Sequence, residues 1–230
     1  MKTLGLIGGL SWYSTTIYYR RINELANERL GSSHSAKLLL YSLDFDPFKL
    51  LQEREDWQTI EGILVETATT LEQAGAEGIL ICANTPHIVA NEVREKIGVP
   101  LISIVEATAS TIAAAGLRKV ALLGTKYTME GTFFQEGLAK SGIDTIVPDA
   151  QEREYINNAI YQELTKGSFP ADKRDGYIKI IDRLASEGAE GVIFGCTEIG
   201  LLVPQDKCPL PVFDTAEIHA RAAVDFALGG

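Results

Sequence analysis

Short apolar runs alternate with longer amphipathic stretches along the chain. The runs are rich in Val, Ile and Leu and predict eight strands, at residues 3–7, 36–42, 78–82, 101–104, 119–123, 142–147, 191–194 and 212–213. The stretches between them repeat apolar residues every three or four positions and predict helices at residues 14–30, 57–74, 88–97, 107–115, 132–141, 152–166, 172–187 and 215–227. Strands that alternate with helices are typical of βαβ units around a parallel sheet. The pattern therefore predicts an α/β protein.

Three blocks of the first half recur in the same order in the second half. Residues 75–85 match 188–198 at an offset of 113, residues 4–8 match 120–124 at 116, and residues 100–106 match 211–217 at 111. Collinear blocks at such similar offsets indicate a duplication. We therefore expect two pseudo-symmetric lobes, each a short parallel sheet flanked by helices. Residues 1–103 with 214–230 are expected to form lobe 1, residues 104–213 to form lobe 2, and the site to lie in the cleft between them.

Composition narrows the classes of partner. The formal net charge is −10, with 21 Lys and Arg against 31 Asp and Glu, so nucleic acid and anionic membrane surfaces are not expected partners. The apolar runs are too short to span a bilayer, and the N-terminus predicts a buried strand rather than a signal peptide, which favours a cytoplasmic location. The three cysteines, Cys82, Cys196 and Cys208, fit no zinc-ligand spacing and are expected to be free thiols, so no metal is expected.

Candidate chemistry lies in the turns that follow strands, because ligands bind beyond the carboxyl ends of parallel strands. The first such turn contains Gly8, Gly9 and Leu10, and its two glycines allow backbone amides to approach an anion. It does not match the Gly-x-Gly-x-x-Gly fingerprint, so dinucleotide binding is not favoured. An ordinary tight turn explains the two glycines equally well.

The duplicated blocks contain a second and a third turn, residues 82–87 and 195–198. Cys196 directly follows a buried strand, where the backbone dipoles of the next segment are expected to favour a thiolate. The duplication aligns Cys196 with Ala83 and aligns Cys82 with Gly195. Because successive side chains of a strand point to opposite faces, we expect Cys82 to be buried beside the site.

Four segments together resemble the aspartate/glutamate racemase family, and most of all its bacterial branch of broad-specificity amino-acid racemases. They are Gly-Leu-Ile-Gly-Gly-Leu-Ser-Trp at 5–12, Ala-Asn-Thr-Pro-His at 83–87, Leu-Leu-Gly-Thr-Lys-Tyr-Thr-Met at 122–129 and Gly-Cys-Thr-Glu-Ile-Gly-Leu-Leu at 195–202. The resemblance implies a homodimeric, cofactor-independent racemase of small amino acids, in which two facing residues exchange the α-proton.

The resemblance also implies substrate-binding roles for Gln52 and Lys166. The charged residues after Gln52 are explained equally well by the start of a solvated helix. Lys166, just before Gly167, is explained equally well by compensation of the dipole at the end of a helix. The full set of expected substrate-binding residues is Gly9, Leu10, Gln52, Asn84, Thr85, Lys166, Thr197 and Glu198. Amides and hydroxyls in such turns can stabilise the charge that develops on the substrate carboxylate, and they also serve as local caps.

Position 83 departs from the family pattern. Family members commonly carry Cys, or Thr in the nearest branch, before Asn-Thr, whereas Ala83 cannot transfer a proton. We therefore predict an aspartate/glutamate-type racemase with Cys196 as one acid/base and its usual partner replaced by Ala83. Water held by Thr85 or a reoriented Cys82 would each replace the missing proton-transfer group, and an engineered, inactivating change would explain the alanine itself. The remaining alternatives are a one-sided lyase or decarboxylase and a non-catalytic amino-acid-binding protein.

Overall fold

The computed structural model describes residues 1–229 and has the α/β architecture that the sequence predicts. The strands of this range are β1 (Leu4–Gly8), β2 (Leu38–Ser42), β3 (Gly78–Ile81), β4 (Lys119–Gly124), β5 (Asp144–Ile146), β6 (Gly191–Gly195) and β7 (Val212–Asp214). The helices are α1 (Trp12–Leu30), α2 (Phe45–Glu53), α3 (Trp57–Gln73), α4 (Ala90–Lys96), α5 (Ile104–Ala114), α6 (Lys126–Glu130), α7 (Thr132–Ala139), α8 (Ala150–Gln162), α9 (Ala171–Ser186), α10 (Ile199–Leu202) and α11 (Thr215–Leu228). Short 3₁₀ helices span Thr85–Val89, Leu164–Lys166 and Gln205–Lys207.

One of the eight predicted strands, the fourth, at residues 101–104, is wrong. Only Leu101 pairs with a strand, as an isolated parallel bridge to Ile79. The amide of Ile79 donates to Pro100 and the amide of Ile102 donates to Ile79, and α5 then begins at Ile104. Because the helix starts so soon after the bridge, too few extended residues remain for a ladder.

The first compact unit comprises residues 1–103 and 219–229 of the described chain. Its sheet is parallel, with the strand order β2-β1-β3. Gly8 pairs with Ser42 and Ile7 pairs with Ile81, so the turns that follow these strands lie at one edge of the sheet. A core that includes Ile7, Ile60 and Leu64 fills the space between the sheet and α3.

The second compact unit comprises residues 104–218 and has a parallel sheet with the order β5-β4-β6-β7. Alternate residues of β4 pack into two different cores, Ala121 and Leu123 into one and Val120 and Leu122 into the other. Helices therefore cover both faces of this sheet, which is the arrangement that parallel strands require.

The duplicated blocks occupy equivalent places in the two sheets. In the first unit, residues 4–8 form β1 and residues 75–85 contain β3, and these two strands pair. In the second unit, residues 120–124 belong to β4 and residues 188–198 contain β6, and these two strands pair in the same way. The bridge between Ile79 and Leu101 corresponds to the pairing of Val192 with Val212. Over residues 1–229, no helix combines the length and the apolar character that a membrane crossing requires.

Candidate active site

Cys196 lies directly after β6, in a buried turn with two polar neighbours. Its thiol donates a hydrogen bond to Glu198 Oε2 over 3.1 Å, and the Thr197 hydroxyl donates to the same oxygen over 2.6 Å. Cys196 is 8% exposed and Glu198 only 2%. The structure therefore brings together three of the predicted residues, with one carboxylate oxygen accepting both protons.

The protonation of Cys196 differs from the sequence expectation of a thiolate. Burial, and then the negative charge of Glu198, raise the pKa of the Cys196 thiol well above its ordinary value. The helix that follows, α10, is only one turn long and offers little dipole to oppose these effects. Cys196 is thus a thiol at rest, which can donate a proton directly and needs an acceptor before it can remove one.

The turn that follows β4 begins with Thr125 and lies beside the Cys196 turn. Thr125 is not among the predicted site residues. Gly124 pairs with Gly195, so the residue that follows each strand, Thr125 or Cys196, begins its turn at the same level of the sheet. A Cβ atom on Gly124 would lie 2.8 Å from the Gly195 carbonyl oxygen, which shows how closely the two strands approach. The segment Leu-Leu-Gly-Thr at 122–125 signals this turn in the sequence, as the duplicate of the Leu-Ile-Gly-Gly turn at 6–9.

The counterpart turn in the first unit follows β3 and contains Ala83, Asn84 and Thr85. Asn84 and Thr85 are buried, and Thr85 begins a 3₁₀ helix with Pro86 in its first turn. Cys82 is also buried, as predicted, and its carbonyl accepts a hydrogen bond from the Ser14 hydroxyl over 2.7 Å. Burial raises the pKa of the Cys82 thiol, which therefore stays protonated.

A buried imidazole holds the Ala83 turn. His87 Nδ1 donates to the Ala83 carbonyl over 2.9 Å, and burial lowers the pKa of His87 to about 3. The imidazole is therefore neutral at physiological pH. Its ring stands edge-on to that of His219, with the centroids 5.8 Å apart.

The first turn of the chain is held in place by Thr15. Gly9 adopts a φ of 77°, and a Cβ atom there would lie 2.0 Å from the Leu43 carbonyl oxygen, so only glycine fits. The Gly9 amide donates to Thr15 Oγ1 over 2.8 Å, so this candidate anion donor is already engaged. Leu10, the next expected site residue, is buried in the core of this unit.

Gln52 and Lys166, the two residues singled out by the resemblance, lie in different units. Gln52 is buried in α2, a helix absent from the sequence predictions. Lys166 is exposed at the end of the 3₁₀ helix Leu164–Lys166, where Gly167 takes a left-handed φ of 77°. The predicted helix over 152–166 thus stops at Gln162. Across residues 1–229 the structure contains no cluster of three or more His, Cys, Asp or Glu side chains arranged to hold a metal ion.

Comparisons with known proteins agree with the resemblance. A crystal structure of a candidate Asp/Glu racemase from Yersinia pestis is 49% identical, with a TM-score of 0.92 over 99% of this chain and 100% of that one. An aspartate racemase homologue from Pyrococcus horikoshii is 39% identical, with a TM-score of 0.86 and the same coverage. The broad specificity amino-acid racemase RacX of Bacillus subtilis (strain 168) is 22% identical over 232 residues, 96% of each chain. The Asp/Glu/Hydantoin racemase model matches residues 7–223, so the chain belongs to this family.

Proposed function

We propose that the chain is a cofactor-independent amino-acid racemase that uses Cys196 as an acid/base toward the substrate Cα. The observation that carries the proposal is the hydrogen bond from the Cys196 thiol to Glu198 at the end of β6. A thiol alone can give a proton, whereas a thiol bonded to a carboxylate has an acceptor for its own proton and can act in both directions.

The proposed step conserves atoms and charge. The Cys196 proton passes to Glu198 Oε2 along the 3.1 Å hydrogen bond, and the resulting thiolate removes the α-proton of the substrate. The electron pair of the broken C–H bond remains on Cα as a carbanion, which delocalises into the α-carboxylate. In the reverse direction Cys196 gives its proton to the carbanion and regains one from Glu198.

The substrate class we propose is aspartate, glutamate or a related small amino acid. Carboxylate charge that develops in the transition state needs donors aimed at it, and Asn84, Thr85 and Lys166 supply the candidates, with Thr197 joining them when its hydroxyl turns away from Glu198. Gly9, Leu10 and Gln52 complete the proposed binding set. We further expect a homodimer, as the family resemblance implies, and a cytoplasmic location, which three free cysteines favour.

Ala83 removes the second proton-transfer group that the duplication leads us to expect. The duplication makes position 83 the counterpart of Cys196, and a methyl group carries no exchangeable proton. Inversion then relies on water held near the Thr85 hydroxyl, since the Cys82 thiol is buried. We therefore expect exchange of the α-proton with retention to be faster than racemisation.

The second candidate is an amino-acid-binding protein without turnover, or a lyase that uses the single cysteine. Ala83 and the protonated state of Cys196 both favour this reading over rapid two-base racemisation. A binder would leave the α-proton in place. A lyase or decarboxylase would release a product that is not the mirror image.

Incubation with single enantiomers in D₂O separates these possibilities. Proton NMR would follow loss of the Cα–H signal, and chiral chromatography would follow the mirror image. We expect wash-in of deuterium that Cys196→Ala abolishes and Cys208→Ala leaves unchanged, because Cys208 lies half-buried in a loop. Equal loss of exchange in both variants, or no exchange with aspartate, glutamate or any other amino acid that binds, would contradict the racemase proposal.

A further inference from the structure

The first unit has one long, uncharged sheet edge that is open. β2 is the outer strand of the order β2-β1-β3, and within residues 1–229 no strand pairs with its other side. Its sequence, Leu-Leu-Leu-Tyr-Ser, contains no charge and no proline. Leu40 is 47% exposed and Tyr41 is 41% exposed. An edge strand with these properties is a template for pairing with another chain.

The other sheet edges are shorter, charged or partly covered. On the outer side of β3, Leu101 forms a bridge to Ile79, and the Ile102 amide donates to the Ile79 carbonyl. The outer strands of the second unit, β5 and β7, have three residues each, and each contains an aspartate, Asp144 or Asp214. Short strands and charges are common protections of a free edge, and β2 has neither.

Alternate residues of β2 direct their backbone groups to the open side. The Leu4 amide donates to the Lys37 carbonyl over 3.0 Å. The Leu43 amide donates to the Gly8 carbonyl, also over 3.0 Å. Because the backbone groups of successive residues point to opposite sides of a strand, the odd-numbered residues of this segment face β1. The even-numbered residues direct their amide and carbonyl groups to the open edge, namely Leu38, Leu40 and Ser42.

These three residues form a self-complementary edge, because Leu40 lies in the middle. In an antiparallel pairing about a two-fold axis at Leu40, this residue lies opposite its own copy, and Leu38 lies opposite Ser42 of the second copy. Each such pair exchanges two hydrogen bonds. The pairing therefore uses every backbone group that β2 directs to the open side.

The charges that flank β2 fit the same arrangement. Lys37 precedes the strand and Asp44 follows it after Leu43, and both charged side chains are exposed. In the antiparallel pairing, Lys37 lies opposite Leu43 of the second copy and beside its Asp44, so opposite charges meet at both ends. A parallel pairing in register would instead place like charges side by side. The flanking charges therefore favour a second copy in the antiparallel orientation.

Helix α1 extends the open surface on one face of the sheet. A Cβ atom on Gly8 would lie 2.7 Å from Thr15 Cγ2 and 2.8 Å from Leu40 Cδ1, so Leu40 lies on the α1 face. Thr15, Tyr19 and Asn23 follow one another at four-residue intervals on one side of α1. Asn23 Oδ1 accepts from the amide two residues before β2 over 3.0 Å, so this side of the helix faces the strand. Tyr19 is 57% exposed and adds apolar area beside the open edge.

We propose that the open edge of β2 is the surface on which a second copy of this chain binds, with Leu40 at the two-fold axis. The pairing would join the three strands of each copy into one continuous sheet. Tyr19 and Leu40 supply apolar area, which a stable dimer needs in addition to backbone pairing. The inference assigns a surface to the homodimer expected under the proposed function, and it does not depend on the acid/base role of Cys196.

The test is sedimentation velocity of the parent and of two variants with opposite charges at position 40. We expect the parent to be a dimer. Leu40→Lys and Leu40→Glu should each raise the dissociation constant of the dimer about 100-fold or more, because like charges then meet at the axis. An equimolar mixture of the two variants should form dimers again, since each lysine then faces a glutamate. This recovery requires position 40 to lie close to its own copy.

Leu201→Lys and Leu201→Glu are the matched controls. Leu201 is 45% exposed, almost the same fraction as Leu40, and it belongs to α10 of the second unit rather than to a sheet edge. Both control variants carry the same added charge on an exposed leucine. They should remain dimers with the dissociation constant of the parent.

Amide hydrogen exchange, followed by NMR, tests the pairing in the parent without a substitution. The amides of Leu39 and Tyr41 face β1 within one chain, so they should exchange slowly in the parent and in Leu40→Lys alike. The Leu40 amide of the parent faces the open edge, and it should exchange slowly only in a dimer that pairs through β2.

Three results of sedimentation would overturn the inference: a monomeric parent, which would leave the edge to a different protein, a mixture that stays monomeric, or Leu201 variants that dissociate as the Leu40 variants do. A dimeric parent whose Leu40 amide exchanges fast would also overturn it, because the interface would lie elsewhere. If both Leu40 variants fail to fold, the exchange measurement on the parent decides. A dimer through β2 that shows no D₂O exchange at the substrate Cα would refute the racemase proposal alone.

Discussion

Two buried histidines in the first unit should make the protein sensitive to mild acid. His219 is fully buried, and its ring nitrogens are both engaged: Nδ1 accepts from the Tyr18 hydroxyl over 2.8 Å, and Nε2 donates to the Ile102 carbonyl over 2.8 Å. Burial lowers the pKa of His219 to about 4, and that of His87 to about 3, from an ordinary 6.5. Protonation would break the bond from Tyr18 and place a charge in the core.

The sign of the pH dependence follows from these values. Because the folded pKa is lower than the unfolded one, the unfolded chain takes up the proton first as the pH falls. The contribution of neutral His219 to the stability is fully present above pH 6.5 and is lost as the pH falls from 6.5 to about 4. Within this window each pH unit changes the free energy of unfolding by about 1.4 kcal/mol per proton. At pH 5 the burial of His219 therefore lowers the free energy of unfolding by about 2 kcal/mol relative to pH 8, and the burial of His87 lowers it by about the same amount. Asp214 raises the free energy of unfolding at pH 5 by about 1 kcal/mol, because its pKa is raised to about 6 and the folded protein takes up this proton first.

The assay is denaturant unfolding of the parent, His219→Gln and His34→Gln at pH 8 and pH 5. The glutamine amide can still accept from Tyr18 and donate to Ile102, so the cost at pH 8 should be modest. His219→Gln should reduce the loss of unfolding free energy between the two pH values by about 2 kcal/mol. His34 is exposed, and its substitution should leave the difference unchanged. An identical pH dependence in the parent and His219→Gln would refute the reasoning.

Two further predictions concern substrate binding and the second proton. Lys166→Met should weaken binding of a dicarboxylic amino acid about tenfold and of a neutral one less, because an ammonium group pairs with a carboxylate; equal dissociation constants by calorimetry would remove Lys166 from the proposed site. Ala83→Cys should raise the rate of racemisation by about 100-fold or more, the usual worth of a general acid/base, and a melting temperature near that of the parent would show that the gain is chemical. An unchanged racemisation rate in folded Ala83→Cys protein would contradict a two-base model for this chain.

Helices were predictable from the sequence wherever the repeat of apolar residues extended over several turns. Helices such as α3 and α9 span four or more turns, so their apolar spacing exceeds chance. The short helices α2, α6 and α10 contain nine residues or fewer and were not predicted, because too few turns are present to show a period. The segment at 101–104 was misassigned because a β-rich run of four residues cannot show where pairing ends and a helix begins.

The place of the candidate cysteine in the fold was predictable, and its protonation was not. The position of Cys196 after β6 follows from the duplication, and so does the burial of Cys82. The pKa of the thiol is raised first by burial, then by Glu198 and last by Asp214, which lies 18 residues further along the chain on a different strand. Sequence alone does not reveal such a neighbour, since its effect arises only from the parallel pairing of β6 with β7.

The duplication explains why two turns at equivalent places in their sheets carry different chemistry. Each unit places turns at the carboxyl edge of its sheet, and Gly8 and Gly124 end the equivalent strands β1 and β4. Side chains that support the turns are free to diverge, because the hydrogen bond from His87 to Ala83 and the cap formed by Asp214 each stabilise only their own unit. In one unit a neutral imidazole therefore binds the backbone of the turn, and in the other a carboxylate accepts a hydrogen bond from the thiol of the turn. Under the mechanism that we propose, a change at position 83 alone would add or remove a second proton-transfer group.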